Sequence, residues 1–257
     1  MTSVRAGGWL CLAACAAGWA GGCGQPAVPA AARRETVIVT VEDEFTGDEP
    51  AGHWTFRTPA LWRVTQEGPR RFLQLLDLPG RTMMPGVRRP QEYAVFNAYE
   101  WRNCWISFWV RVDRDPAVAA RDACVILGRQ DNTRFYYVHL SGASDGVHTA
   151  VMCVEGDRRR SLAPEGWRPR PPLTDLAWHK VDVLRDFDAG KIVVKVDAAD
   201  ENSPALFDVI DRTYEWGHVG LGSFDDHASF GRVLIRGEAR RPLQPPVVDP
   251  PATMPAD

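Results

Sequence analysis

Positive charge is in deficit along this chain. Thirty Lys and Arg stand against 33 Asp and Glu, leaving a net charge of −3 over 257 residues. A protein that grips nucleic acid through its phosphates needs a basic footprint, so no nucleic-acid partner is expected. Cysteine occurs six times, but never as Cys-x-x-Cys and never with a His at zinc-ligand spacing, so no metal site is assigned. There is no Gly-x-Ser-x-Gly nucleophile elbow and no glycine-rich loop to cradle a phosphate. No segment carries the period of an amphipathic helix, and nothing repeats at a fixed interval. The apolar stretch at residues 6–22 is too short and too rich in Gly and Ala for a comfortable transmembrane helix.

That stretch reads instead as a targeting segment, with Arg5 as its positive start and no acidic residue inside it. Bacterial lipoprotein signals are cut before a cysteine, and two stand in place. Leu12-Ala13-Ala14-Cys15 has the better recognition residues but a short apolar core before it. Ala20-Gly21-Gly22-Cys23 has the longer core and a polar tether after it. Cys23, ahead of Cys15, is the expected lipidated residue, and it would hold the protein to a membrane in the bacterial cell envelope. A plain secretory signal would export it to the periplasm or beyond. The chain then divides into a signal segment (1–23), a flexible linker (24–34), one folded domain (35–237) and a tail (238–257). The tail is expected to be disordered, since residues 242–257 hold six prolines and little to bury. Cys104, Cys124 and Cys153 remain in the domain. Their odd number permits one disulfide at most, and buried free thiols are the simplest reading.

Between the tails, apolar residues alternate with others at period two, the mark of half-buried antiparallel strands. Thr36 to Val41, Leu61 to Val64, Phe72 to Leu76 and Tyr93 to Phe96 are short strands. Trp105-Ile106-Ser107-Phe108-Trp109-Val110-Arg111-Val112 is the clearest, with Ile106, Phe108, Val110 and Val112 facing the core. Residues 123–128, 134–140 and 148–154 follow, and 158–172 is a basic, proline-rich loop. The last strands run from Trp178-His179-Lys180-Val181-Asp182-Val183 through Gly217-His218-Val219-Gly220-Leu221-Gly222 to Phe230-Gly231-Arg232-Val233-Leu234-Ile235.

This closing order of strands resembles the end of a concanavalin A-like (laminin-G-like) jelly-roll domain. Within that group it is most similar to the 3-keto-disaccharide hydrolase domain family and its uncharacterised relatives. The resemblance extends from Phe45 to Ile235 and includes Trp54 and Trp62 ahead of early strands. It implies an all-β fold, a two-sheet antiparallel jelly-roll sandwich of the lectin/glucanase kind, on a secreted or envelope protein that handles carbohydrate. The family's name implies cleavage of 3-keto-glycosides. Laminarinase-type relatives carry paired carboxylates as Glu-x-Asp-x-x-Glu on one strand, and that pattern is missing here.

Two strands turn aromatic and polar side chains away from the core: Trp105, Trp109 and Arg111 on one, Tyr137 and His139 on the other. As neighbours on a concave sheet they would floor a groove on which sugar rings stack while polar groups meet the hydroxyls. Asp131, Asn132 and Arg134, in the turn before the second strand, either border that groove or form an Asx turn. His139 is the acid/base candidate among six histidines, with Asp131 as its partner. Glu42-Asp43-Glu44 is solvated charge or a rim for structural calcium, with nothing else in the sequence indicating that ion, and no cofactor is expected. Three functions follow: an oligosaccharide-recognition protein, a hydrolase or lyase acting on a 3-keto-glycoside or other modified disaccharide, or a structural sandwich whose groove its own loops fill.

Overall fold

The computed structural model describes residues 34–76 and 86–251. Its strands, in chain order, are β1 (Val37–Asp43), β2 (Trp54–Phe56), β3 (Trp62–Glu67), β4 (Arg70–Leu75), β5 (Glu92–Phe96), β6 (Glu100–Val112), β7 (Asp122–Asp131) and β8 (Arg134–Ser141). There follow β9 (Ala150–Glu155), β10 (Arg158–Ser161), β11 (His179–Asp186), β12 (Lys191–Val196), β13 (Phe207–Ile210), β14 (His218–Ser223) and β15 (Ala228–Arg240). Sheet I runs β13-β12-β11-β6-β15-β4-β3, and β1 lies along the second half of β15. Sheet II runs β10-β9-β8-β7-β14-β5-β2.

Alternation decides what lies between the sheets. On β6 the inward set Ile106, Phe108, Val110 and Val112 is at most 1% exposed. On β8 the inward set Tyr136, Val138 and Leu140 is wholly buried in the same cluster. Trp54, Trp62, Trp101 and Phe230 fill the rest of the layer, where removal of apolar area from water is the main stabilising term.

Two local devices shape the sheets. β15 shifts register between Gly231 and Leu234, where Arg232 takes φ 38°. This bulge re-aims the strand, so its first residues pair with β4 and its later ones with β1. Gly222 on β14 is a close approach: a Cβ there would stand 2.3 Å from the Glu92 carbonyl oxygen, which explains the repeated glycines of that strand.

The expected all-β two-sheet sandwich is what forms. The strands at β10 and β13 fall where the sequence reads as loop: both are four residues long, and β10 is polar on both faces. Cys104, Cys124 and Cys153 are buried and unpaired, and burial pushes the Cys104 thiol up to about 12. Residues 241–251, part of the tail expected to be disordered, leave β15 and return across the outer face of sheet II, where Asp249 is 7% exposed. Among the described residues no helix is long and apolar enough to cross a membrane. Cys15 and Cys23, the expected lipidation sites, lie outside the described residues.

Candidate functional site

One expectation needs correction at once. β6 belongs to sheet I and β8 to sheet II, so the outward rows of the two strands point away from opposite sides of the sandwich. Trp105, Trp109 and Arg111 therefore share no groove with Tyr137 and His139. Period two fixes which face a residue takes, but not which sheet its strand joins.

On sheet I, β6 pairs with β11, setting Trp105 opposite Leu184, Ser107 opposite Asp182 and Trp109 opposite Lys180. β12 adds Val193 and Lys195 to the same outer face. With residues 198–201 these side chains bound a pocket of about 550 Å³ that has the half-buried Trp105 ring as its flat wall. Lys180 Nζ stands 3.1 Å from Asp182 Oδ2. The other oxygen, Asp182 Oδ1, is buried and has no hydrogen-bond partner. Lys195 is tied to the Glu201 carbonyl, which draws the 198–201 turn over the pocket's edge. An aromatic plane, a cation, and a carboxylate with one oxygen lacking a donor together meet the needs of a polyhydroxylated ring.

Further along the face, the other two candidates are committed to each other's surroundings. Arg111 donates to Asp113 (2.5 Å) and Glu67 (2.6 Å) and lies 4.9 Å over the Trp178 ring. Arg70 spans Trp109 and Trp178 at 5.2 and 4.7 Å. These cation–π contacts hold Trp109 and Trp178 in place. Trp109 borders a second hollow, of about 310 Å³, with Arg71, Glu44 and Arg232.

The outer face of sheet II is aromatic too, and closed. Tyr93, Phe135 and Tyr137 form a buried cluster with Cys124, Ile126 and Met152, covered by Phe224 and Val248. Tyr137 accepts a hydrogen bond from Arg159 (3.0 Å), and burial pushes its phenol above the ordinary range. His139 stacks on Phe224 at 4.8 Å and is 2% exposed. Its Nδ1 lies 2.9 Å from the Val147 carbonyl and its Nε2 3.1 Å from Asp122 Oδ2. Asp122 also accepts from Ser223 Oγ (2.6 Å) and the Phe224 amide (3.0 Å). Burial works to raise the Asp122 pKa, but His139 and these donors outweigh it, and the net shift is downward.

His139 and Asp131 do not meet. In the β7–β8 ladder His139 is opposite Cys124, while Asp131 is opposite Arg134 at the far end. Asp131 receives the Thr133 amide (2.8 Å), the Thr133 hydroxyl (3.0 Å) and Arg134 Nε (2.8 Å), an Asx turn opening β8. Asn132 faces the other way: its side chain accepts from Arg129 (2.5 Å) and donates to Asp249 (2.9 Å). An acid/base pair of His139 with Asp131 is thus not assembled by this fold.

The carboxylates considered for calcium are engaged by protein donors. Asp43 binds His53, the Trp54 indole and the Phe45 amide, each at 2.8 Å. Glu42 pairs with Arg232. Asp122, Cys124 and His139 stand close enough to share one ion, yet Asp122 spends both oxygens on protein groups.

No family model matches the chain, and no curated protein matches it. Solved structures do. A carbohydrate binding module, CBM66 from Bacillus subtilis, aligns over 72% of this chain and 96% of that one, with 13% identity and a TM-score of 0.50. The GH43 protein BlXynB from Bacillus licheniformis aligns over 76% of this chain at 10% identity, with a TM-score of 0.51. That alignment spans 39% of the BlXynB chain. Lectin I from Ulex europaeus covers 79% of this chain at 12% identity, with a TM-score of 0.48. The chain shares with these structures the fold of a two-sheet antiparallel jelly-roll sandwich. At such identities the likeness speaks for the fold.

Two groups of site residues escape sequence reading. Lys180, Asp182 and Lys195 look like ordinary strand alternation until β11 is placed beside Trp105. Arg89, Arg129 and Tyr93 acquire meaning only when the tail is seen to cross them.

Proposed function

We propose that this protein is a carbohydrate-recognition sandwich, exported to a bacterial cell envelope and held there by a lipid on Cys23, that binds an oligosaccharide in the Trp105 pocket. The observation that carries the reading is Asp182 Oδ1, a buried carboxylate oxygen without a donor beside the Trp105 ring. A buried acceptor left unpaired costs about 1–3 kcal/mol, and a sugar hydroxyl donated to it recovers that cost. The pocket volume, about 550 Å³, suits a ligand of a few sugar rings. The module called a carbohydrate binding module among the structural neighbours supports the same reading. Asp200 and Glu201 also line the Trp105 pocket, but they sit in the turn at its edge and Asp182 is salt-bridged to Lys180, so recognition rather than hydrolysis is the function preferred.

A glycan array followed by calorimetry on the most strongly bound oligosaccharide tests this. Trp105→Ala should weaken binding at least about tenfold, as loss of a buried aromatic anchor does. Asp182→Asn should weaken it less, because the amide keeps an acceptor. Retention of full affinity by Trp105→Ala would end the proposal for this pocket. Turnover of a 3-keto-disaccharide would move the protein to the hydrolases.

A further inference from the structure

The tail crossing sheet II rests on a cluster rich in guanidinium groups. Arg57 Nε donates to the Pro250 carbonyl (2.9 Å) and Arg129 Nη2 to the Val247 carbonyl (2.5 Å). Arg89 Nη2 stands 3.3 Å from Asp249 Oδ1. Asp249 also accepts from Asn132 Nδ2 (2.9 Å) and the Tyr93 hydroxyl (3.0 Å), and its amide donates back to Tyr93 at 2.9 Å. Arg129, 1% exposed, lies 5.1 Å over the Tyr93 ring. Arg57 is matched by Glu92 and Asp131 by Arg134. Among the described residues, Asp249 is the carboxylate that pairs with Arg89, and it lies beside Arg129.

The balance is incomplete. Arg129 Nη1 and Arg89 Nε are buried and have no acceptor. Guanidinium N–H groups out of water demand partners. A Val-Val-Asp-Pro strap offers one carboxylate and a few carbonyls, and two donors go unmet. A ligand carrying a carboxylate plus ring and hydroxyl oxygens would reproduce what Asp249 does and answer the remaining donors.

We propose that Arg89, Tyr93, Arg129 and Asn132 form a binding site for sugar acids of the uronate class, filled in the unliganded chain by Asp249 and opened when a uronate displaces residues 247–250. The site lies on the sheet opposite the Trp105 pocket and stands whether or not that pocket binds neutral sugar. The strap acts as a tethered competitor, so it lowers apparent affinity by the fraction of time it is docked.

The test uses the full chain and trigalacturonate as probe, with cellotriose as the neutral control. Asp249→Ala removes the competitor and should bind trigalacturonate at least about tenfold more tightly than the unaltered chain. Adding Tyr93→Phe or Asn132→Ala to Asp249→Ala should take back most of that gain, and salt should weaken binding in every case. Trp105→Ala should leave trigalacturonate binding unchanged, which separates this site from the pocket on sheet I. Three outcomes would overturn the proposal: no binding by an Asp249→Ala chain whose melting is otherwise intact, equal binding of cellotriose by an Asp249→Ala chain that also carries Trp105→Ala, or tighter binding of an acetyl-Val-Val-Asp-Pro-Pro peptide, which would make the face a peptide-docking surface. Should Asp249→Ala fail to fold, trigalacturonate added to the unaltered chain must speed tryptic cleavage after Arg240, and its failure to do so would equally refute displacement.

Discussion

The two outer faces of this sandwich begin from the same pattern and end differently. On sheet I, Trp105, Trp109 and Trp178 stand half-buried among Arg70, Arg111 and Lys180, with hollows between them. On sheet II, Phe135, Tyr137 and His139 are roofed by Phe224, Val248 and the Asp249 strap. Aromatic residues at outward positions thus serve two ends. Where charged neighbours leave them accessible, they form a surface on which a ligand stacks. Where a distant segment covers them, they become a second core.

The largest expected effect sharpens that contrast. Tyr137→Ala should destabilise the protein by about 3–5 kcal/mol, since a wholly buried ring leaves a cavity. Trp109→Ala removes a half-exposed ring held by Arg70, and should cost about 1 kcal/mol. Denaturant unfolding measures both. Equal costs would mean that the two faces are equally closed.

Acid should discriminate between the faces next. Asp122 titrates below its ordinary 3.8 because His139, Ser223 and the Phe224 amide outweigh its burial. A depressed carboxylate contributes stability in full above its unfolded value and loses it as pH falls through the folded one. Stability should therefore decline as pH drops below about 4, and Asp122→Asn should flatten that decline while costing about 3 kcal/mol at neutral pH. Asp188, in the turn between β11 and β12, is also depressed, by Arg102 and Asn103, but solvent screens the pair, so Asp188→Asn should change the decline and the neutral-pH stability far less. An acid profile untouched by Asp122→Asn would remove His139–Asp122 as a support of the covered face.

These particulars show how far sequence reading reaches. The Trp105–Val112 strand was legible residue by residue, because alternation is local and burial follows it on both faces. Its partners were not, since β6 lies between β11 and β15, which come some 70 and 130 residues later in the chain. The groove of β6 with β8 failed for that reason. Asp131 proved an Asx turn, one of the two readings its local sequence allowed. The tail misled through composition: its prolines lower the tendency to form regular structure, but they also pre-pay the entropy of an extended strap. Val247, Val248, Asp249 and Pro250 fasten it.

The smallest effect concerns one ion pair on each face. Arg111–Glu67 on sheet I involves a carboxylate with 60% of its side chain exposed, and Glu67→Gln should change stability by less than about 0.5 kcal/mol. Arg89–Asp249 on sheet II is 13% and 10% exposed, and charge-assisted bonds at such burial are worth about 1.5–3 kcal/mol. Asp249→Asn should nevertheless cost only about 1 kcal/mol, below that bond's range. The strap can undock instead of staying in place with a broken contact, so no change within it can cost more than its own docking free energy. Melting of the two variants at low and high salt measures the difference. An Asp249→Asn cost near that of Tyr137→Ala would show the strap to be part of the core itself, and no longer a segment that a ligand could lift away.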